Sequence, residues 1–461
     1  METKNAVLVG LQLPKVTPQD LEGSMTELSR LVKTLGYNVV GRVTQKRPSE
    51  KSAMVLGEGK LQELAEWTGG SGKIAAMFEK KKSKAQLKWE EEAAEEEPEI
   101  LEEEEEEDPG FLSEEQKGSA QIVIVDHDLS PSQLRNLESA SGVTVLDRTG
   151  VIIEIFSRHA RTKAARLQVE IARLTYVAPR LRETGGGEDR GGGGTGAKGA
   201  GETSLELDKR KIRDRIKELK TELASIANEH QVRRSRREQE ISVALVGYTN
   251  AGKSSLMRAM TGSEVLVADK LFATLDTTVR PLHPETRPKI LLSDTVGFIK
   301  KLPHDLVASF KSTLDEANNA GLLLFVVDSS DPSFRSQLEV TQSVLAEVGA
   351  TEAPRLLVLN KKDRLSEAEN EALRAEFPEA IQISTRNPAD LKILREKIVS
   401  FFEEDMVDEL VRVPYTAKGI IGEIRAKMRV LEETYDESGT VFKLRASADA
   451  LQALKKKLGS Q

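Results

Sequence analysis

Apolar and polar residues follow two rhythms along this chain. A short apolar run over 6–11 (Ala6, Val7, Leu8, Val9, Gly10, Leu11) predicts a strand. A helix over 18–35 follows, with Thr17 as its N-cap and Gly36 as its stop. The same reading predicts strands over 37–43 and 53–56, a helix over 60–67, a strand over 122–125, and a helix over 131–139 behind the Ser130 cap. Together these describe a small α/β domain over 1–145. Within it, Gly57-Glu58-Gly59-Lys60 is too short for a phosphate-binding loop and reads as a strand-to-helix turn, with phosphate binding as the alternative.

Past residue 145 the period changes. Leu167, Ile171, Leu174, Ala178 and Leu181 step by four and three, and so do Ile212, Ile216, Leu219, Leu223 and Ile226. That stepping is a coiled-coil seam. It predicts helices over 163–182 and 206–237, joined by a glycine-rich loop over 185–201, hence an antiparallel helical arm over 146–237. A third region, 238–404, ends in a helix over 389–402. The last segment, 405–461, reads as strand 409–413, helix 419–428, strand 440–444 and helix 448–458, a small subdomain.

Composition narrows the chemistry. At 461 residues the chain has room for about two to four domains. It contains no cysteine, which excludes disulfide scaffolds, cysteine-based zinc sites and thiol catalysis. No signal-peptide pattern is present, and no apolar stretch approaches the roughly 20 residues that span a bilayer, so a cytoplasmic and monomeric protein is expected. Residues 90–108 hold fourteen Asp or Glu and no Lys or Arg. Removing those fourteen charges from the net −8 leaves the remainder at +6. The insertion over 80–117 opens with Lys80, Lys81, Lys82 and Lys84 and turns almost wholly acidic, a composition too self-repelling to order itself. Residues 158–182, by contrast, carry seven Arg or Lys against the single acid Glu170. Such a basic element suits an anionic surface, or else simply a solvated helix face.

The chemistry concentrates in the third region. Gly247-Tyr248-Thr249-Asn250-Ala251-Gly252-Lys253-Ser254 fits the phosphate-binding pattern G-x-x-x-x-G-K-[ST]. It follows the apolar run 241–246 and opens a helix-compatible stretch at Ser255. In that setting backbone N–H groups converge on phosphate oxygens, and the helix N-terminus adds partial positive charge. Lys253 is expected to reach the β- and γ-phosphates, and Ser254 to ligate Mg²⁺. A second apolar run ends in Asp294-Thr295-Val296-Gly297, where Asp294 can hold Mg²⁺ and the Gly297 N–H can sense a γ-phosphate. A third ends in Asn360-Lys361-Lys362-Asp363. The Asp363 carboxylate can accept both guanine N1–H and N2–H₂, donors that adenine lacks, so adenine would leave a carboxylate unpaired. Asn360 would brace the loop and Lys361 would cover the base. A fourth run ends in Ser384-Thr385, suited to the guanine O6. Four motifs, each at a strand end, put a guanine nucleotide where open α/β sheets bind ligands.

With these residues in view the chain resembles the HflX family of translational GTPases, and does so over nearly all its length. The resemblance rests on 129–138 (Leu129-Ser130-Pro131-Ser132-Gln133), on Asp147-Arg148-Thr149-Gly150 with Ile155-Phe156 and Ala160-Arg161-Thr162, and on Gly201-Glu202-Thr203 with Leu205 to Asp208. It rests also on Leu271-Phe272-Ala273-Thr274-Leu275-Asp276 with Thr278, similar to the family's switch I, and on Phe298 to His304, similar to its switch II. It implies a Ras-like P-loop GTPase domain with an N-terminal α/β domain, a helical coiled-coil arm and a small C-terminal α+β subdomain. It also implies binding to the large ribosomal subunit and its rRNA, splitting of stalled or idle ribosomes under stress, and GTP hydrolysis for release. Two features depart from the family pattern: the acidic insertion, and Ala200 where proline is usual.

Lys253, Mg²⁺ held by Ser254 and switch Thr278, and the Gly297 N–H would then supply the charge neutralisation that phosphoryl transfer needs. The resemblance selects Thr278 over the adjacent Thr277. Phe298 stands where many such enzymes carry a water-orienting glutamine; packing in the core is its expected role, with His304 a polar alternative. Asn250 either shapes its loop or helps hold a potassium ion against the phosphates. Two other functions compete with a ribosomal factor: a GTPase component of tRNA modification or ribosome assembly, and a scaffold that uses GTP as a switch without catalysis.

Overall fold

The computed structural model describes residues 4–50, 52–74, 117–181, 204–235, 241–262, 271–272, 278–303, 316–350, 353–417 and 419–459. The expectations for residues 80–116, for the glycine-rich loop with Ala200, for Gly201 to Thr203, for Ala273 to Thr277 and for His304 fall outside them. The chain divides into two compact units, Met1–Ile155 and Phe156–Gln461.

The first unit is built on a four-stranded parallel sheet of β1 (Asn5–Gln12), β2 (Asn38–Lys46), β3 (Ile122–Val125) and β4 (Thr144–Asp147), in the order β2-β1-β3-β4. β1 and β3 are apolar almost throughout because both faces are covered. Helix Pro18–Thr34 starts where Thr17 accepts the Asp20 N–H, and helix Pro131–Ser141 starts with a complete Ser130–Gln133 capping box.

Two expectations change here. Residues 53–56 form no strand. Val55 and Leu56 are buried, but their neighbourhood satisfies its carbonyls with side chains: Gln133 donates to Ser52, Asn136 to Ala53, and Arg47 to Met54 and Val55. With those partners no sheet ladder is needed. Residues 144–159, where the sequence reading has no element, hold β4 and the helix Arg148–His159.

Asp147-Arg148 accounts for that hidden junction. Asp147 is fully buried and accepts the Leu129 and Gly150 N–H groups at 3.1 and 2.8 Å. Arg148, 1% exposed, donates to Asp126 at 2.6 Å and pairs with Glu27, while Ser24 donates to the other Asp126 oxygen at 2.6 Å. The guanidinium fork therefore joins helix Pro18–Thr34 to the ends of β3 and β4.

In the second unit, helices Lys163–Val177 and Ser204–Ser235 pack through Leu167, Ile171 and Leu219, flanked by Leu174, Ile216, Leu223 and Ile226. Lys163 pairs with Glu222 at 2.5 Å, and Arg215 with Glu170 at 3.2 Å. Partner numbers rise along one helix as they fall along the other, so the pair is antiparallel.

Next comes a six-stranded sheet of β5 (Ile241–Val246), β6 (Thr278–Pro281), β7 (Ile290–Asp294), β8 (Leu322–Asp328), β9 (Arg355–Asn360) and β10 (Ile381–Gln382). Its order is β10-β9-β8-β5-β7-β6, parallel except for β6. Val243, Leu245, Leu324 and Val326 pack on one face against Leu256, Met257, Leu394 and Ile398; Val327 and Leu359 pack on the other against Phe334 and Leu373. The sequence reading has no element over 322–348, yet β8 is the buried centre of this sheet.

The chain ends in an antiparallel sheet of β11 (Val407–Pro414), β12 (Arg429–Asp436) and β13 (Gly439–Ala446), ordered β11-β13-β12, with helices Ile420–Lys427 and Ala448–Gly459. β12 was not anticipated. It is an edge strand whose Glu432, Glu433, Thr434 and Asp436 give it little apolar signal. No helix among the described residues is long and apolar enough to cross a membrane.

Removing Arg148 would strand the buried Asp126 carboxylate. Arg148→Ala should destabilise the first unit by about 3–5 kcal/mol. Both tryptophans, Trp67 and Trp89, belong to this unit, so denaturant unfolding followed by tryptophan fluorescence isolates it. An unchanged transition would show that the ion cluster contributes nothing.

Candidate functional site

The predicted motifs converge at the C-terminal edge of the six-stranded sheet. β5 runs straight into the glycine loop. A Cβ on Gly247 would lie 2.1 Å from the Val326 carbonyl oxygen, so the loop can hug β8 only without a side chain there. Gly252 has φ +96° and caps helix Lys253–Thr261; a Cβ on it would lie 2.2 Å from Asn360 Nδ2.

Asn360, at the end of β9, is the brace between loops. Its side chain donates to the Ala251 carbonyl at 2.9 Å, and its own carbonyl accepts from Ser329 Oγ at 2.7 Å. Lys361 follows in a left-handed conformation, φ +63°. Its ammonium reaches the Asn250 carbonyl at 2.8 Å and Asp328 at 2.6 Å. Asn250 is itself left-handed at φ +60°, with an exposed side chain. That backbone state is one asparagine tolerates well.

Lys253 is 6% exposed and donates to the Gly247 and Tyr248 carbonyls at 2.9 and 2.8 Å. Burial pushes its ammonium down to about 8, against the attraction of Asp294. Its charge is thus costly where it stands, and anionic phosphates are the kind of ligand that would offset that cost.

Ser254 Oγ donates to Asp294 Oδ2 at 2.7 Å, and Asp294 is fully buried. Thr278 lies opposite Asp294 in the β6–β7 ladder. A hydroxyl beside a carboxylate is a hard-oxygen pair that fits Mg²⁺. Among the described residues no group of three or more His, Cys, Asp or Glu could hold a metal.

Gly297 lies against the glycine loop. A Cβ on it would meet Thr249 Cγ2 at 2.8 Å and Lys253 Nζ at 3.1 Å. Phe298 is 1% exposed, donates its N–H to the Gly247 carbonyl at 3.1 Å, and accepts the Thr249 N–H at 2.8 Å. The Tyr248 hydroxyl accepts the Lys300 N–H at 2.5 Å. Phe298 is therefore packed inward and carries no polar group toward the loop. Leu271 and Phe272, two described residues of the expected switch I, are both buried.

On the base side, the Ser384 hydroxyl beside Asp363 holds its carboxyl below the usual carboxylate range, with Arg386 and Arg364 acting in the same direction. Ser384 is buried and donates its N–H to Asp390 at 2.8 Å; Asp390 also holds Lys362 at 2.6 Å. Thr385 is half-buried beside it, as is Ser255 in the first turn of helix Lys253–Thr261.

Three residues that the sequence reading passed over support this arrangement: Asp328, Ser329 and Asp390. Asp328 ends β8 and Ser329 follows it, and Asp328-Ser329-Ser330-Asp331 after an apolar strand is a legible signal. Asp390 sits in the first turn of helix Pro388–Glu403 and had no such signal.

Asp328 does not point to chemistry of its own; it holds Lys361. Asp328→Ala should weaken GTP and GDP together by about 1.5–3 kcal/mol, roughly tenfold to a hundredfold. Titration with fluorescent nucleotides checks this, and wild-type affinity in the variant would dismiss the brace.

Similarity to known proteins agrees with this geometry. Residues 22–96 and 112–157 match the family described as GTP-binding GTPase N-terminal, 159–237 the GTP-binding GTPase Middle Region, and 242–361 the 50S ribosome-binding GTPase. The GTPase HflX of Gluconacetobacter diazotrophicus is 57% identical over 465 residues, covering 100% of both chains. That of Caldanaerobacter subterraneus is 38% identical, covering 95% of this chain and 91% of its own, and that of Escherichia coli 40%, covering 70% and 76%. A full-length match at this identity, on a P-loop fold that carries the nucleotide motifs at its strand ends, makes the chain a member of the HflX family of GTPases.

Proposed function

We propose that this GTPase acts on the large ribosomal subunit in the cytoplasm, where it separates stalled or idle ribosomes under stress and hydrolyses GTP to be released. The observation that supports the ribosomal part most is the match of residues 242–361 to the 50S ribosome-binding GTPase family. Arg158, Arg161, Lys163 and Arg166 add to it: all four are exposed at the foot of the helical pair. A cluster of exposed cations suits an RNA phosphate backbone.

In this reading Gly247 to Ser255 wrap the phosphates, and Lys253 meets the β- and γ-phosphates with a charge that burial has made expensive. Ser254, Thr278 and Asp294 would hold Mg²⁺, which supplies positive charge against the phosphate oxygens. The Gly297 N–H contacts the γ-phosphate. Asn360 and Lys361 shape the base pocket, Asp363 accepts from guanine, and Ser384 and Thr385 line the side of O6. Membership of a family of GTPases argues against a scaffold that binds GTP without hydrolysing it.

Two measurements test the parts separately. Asp363→Asn should weaken GTP by about 1.5–3 kcal/mol and favour xanthine nucleotides, whose C2 carbonyl needs a donor. Equal affinity of the wild-type chain for ATP and GTP would refute the base reading. For the ribosome, the chain should co-sediment with large subunits more strongly with a non-hydrolysable GTP analogue than with GDP, and less as salt rises. Replacing Arg158, Arg161 and Lys163 with alanine should lower that co-sedimentation and spare GTP affinity. Unchanged sedimentation of the triple variant would remove these cations from the contact.

A further inference from the structure

Around the glycine loop, the side-chain oxygens Thr249 Oγ1 and Asn360 Oδ1 are buried without a hydrogen-bond partner. Asn360 already has a task in its bond to Ala251. Thr249 has none for its hydroxyl. The residue is 7% exposed, and only its backbone is engaged, through the N–H bond to the Phe298 carbonyl at 2.8 Å. Burying a hydroxyl unpaired is unfavourable, so such a group marks a place where a polar ligand belongs.

The position is specific. The point a Gly297 Cβ would take lies 2.8 Å from Thr249 Cγ2, 2.9 Å from Thr249 Cα and 3.1 Å from Lys253 Nζ. The methyl and Cα of Thr249 thus stand across Gly297, beside the buried Lys253 ammonium. Phe298, next in the chain, is tied to the loop at both its N–H and its carbonyl and buries its ring. It offers no polar atom to the reaction. Among the described residues of the loop, Thr249 is the one whose hydroxyl is buried without a hydrogen-bond partner.

We propose that the Thr249 hydroxyl positions the attacking water in GTP hydrolysis, the task that Phe298 leaves unfilled. The hydroxyl accepts a hydrogen bond from the water. The water oxygen forms the new bond to the γ-phosphorus, the bond from that phosphorus to the β–γ bridging oxygen breaks, and GDP departs with the electron pair. Both of the water's protons leave with the phosphate product, and Thr249 remains neutral and unmodified throughout. This inference rests on the nucleotide reading of the loop and is independent of the ribosome.

A structural role for threonine here, its methyl packed on Gly297, predicts different behaviour from a positioning role. Thr249→Val keeps the branched shape and removes the hydroxyl; Thr249→Ser keeps the hydroxyl and removes the methyl. The full chain is to be assayed for single-turnover GTP hydrolysis and for binding of GDP, alone and with aluminium fluoride. Thr249→Val should slow hydrolysis roughly tenfold or more and weaken the aluminium fluoride complex similarly, with GDP affinity held within about twofold. Thr249→Ser should stay near wild type in all three. Wild-type hydrolysis by Thr249→Val, a parallel loss of GDP affinity, or a serine variant as slow as the valine would each overturn the proposal. A wild-type chain that binds no guanine nucleotide would overturn the site itself, a result distinct from all of these.

Discussion

The bond from Asn360 Nδ2 to the Ala251 carbonyl couples two loops that are 109 residues apart in sequence. The phosphate loop and the base loop leave different strands, β5 and β9, with β8 between them. A nucleotide that touched both would bind poorly if they moved independently. Asn360 removes that freedom, and Lys361 repeats the tie by reaching Asn250 while anchored on Asp328. The two glycines of the loop serve the same constraint. Side chains at Gly247 or Gly252 would collide with β8 or with Asn360 itself. The site is thus a property of three adjacent strand ends held at fixed spacing, and the sheet core beneath them sets that spacing.

Electrostatics within this frame is asymmetric. Lys253 and Asp294 are both buried, one cation and one anion, yet they are not joined as an ion pair: Lys253 bonds to carbonyls and Asp294 to Ser254. Burial penalises the ammonium enough to lower its pKa despite the nearby carboxylate. In the proposed reading, Lys253 would meet anionic phosphate and Asp294 would help hold a hard cation. The first unit solves the same problem in the opposite way. Arg148, Asp126 and Glu27 satisfy one another, and the charge cluster fastens a helix to two strand ends. One buried cation is held only by backbone carbonyls, and the other is neutralised by carboxylates.

Much of this was legible in the residue order. The glycine loop, Asp294, Gly297, Asn360 and Asp363 stand at strand ends because local apolar runs define the strands, and the motifs follow them directly. Capping residues Thr17 and Ser130 and the leucine–isoleucine stepping of the helical pair are local signals of the same kind, with partners within a few residues. The family followed from such stretches. The errors are also local in origin. Residues 53–56 are apolar enough to look like a strand, and β12 is polar enough not to.

What only the tertiary structure decided are relations between distant residues. No spacing rule connects Asp328 to Lys361, or Asp390 to Lys362, or reveals that the Phe298 backbone is tied to Gly247 and Thr249. The reason is physical: these contacts exist because β-strands that are far apart in sequence lie side by side, and the bonds run across the strands rather than along them. The sequence by itself determined which chemical groups the site contains and that the chain is a P-loop GTPase of the HflX family. The packing of the sheet decided which of those groups are braced, which are buried at a cost, and which hydroxyl is left without a partner.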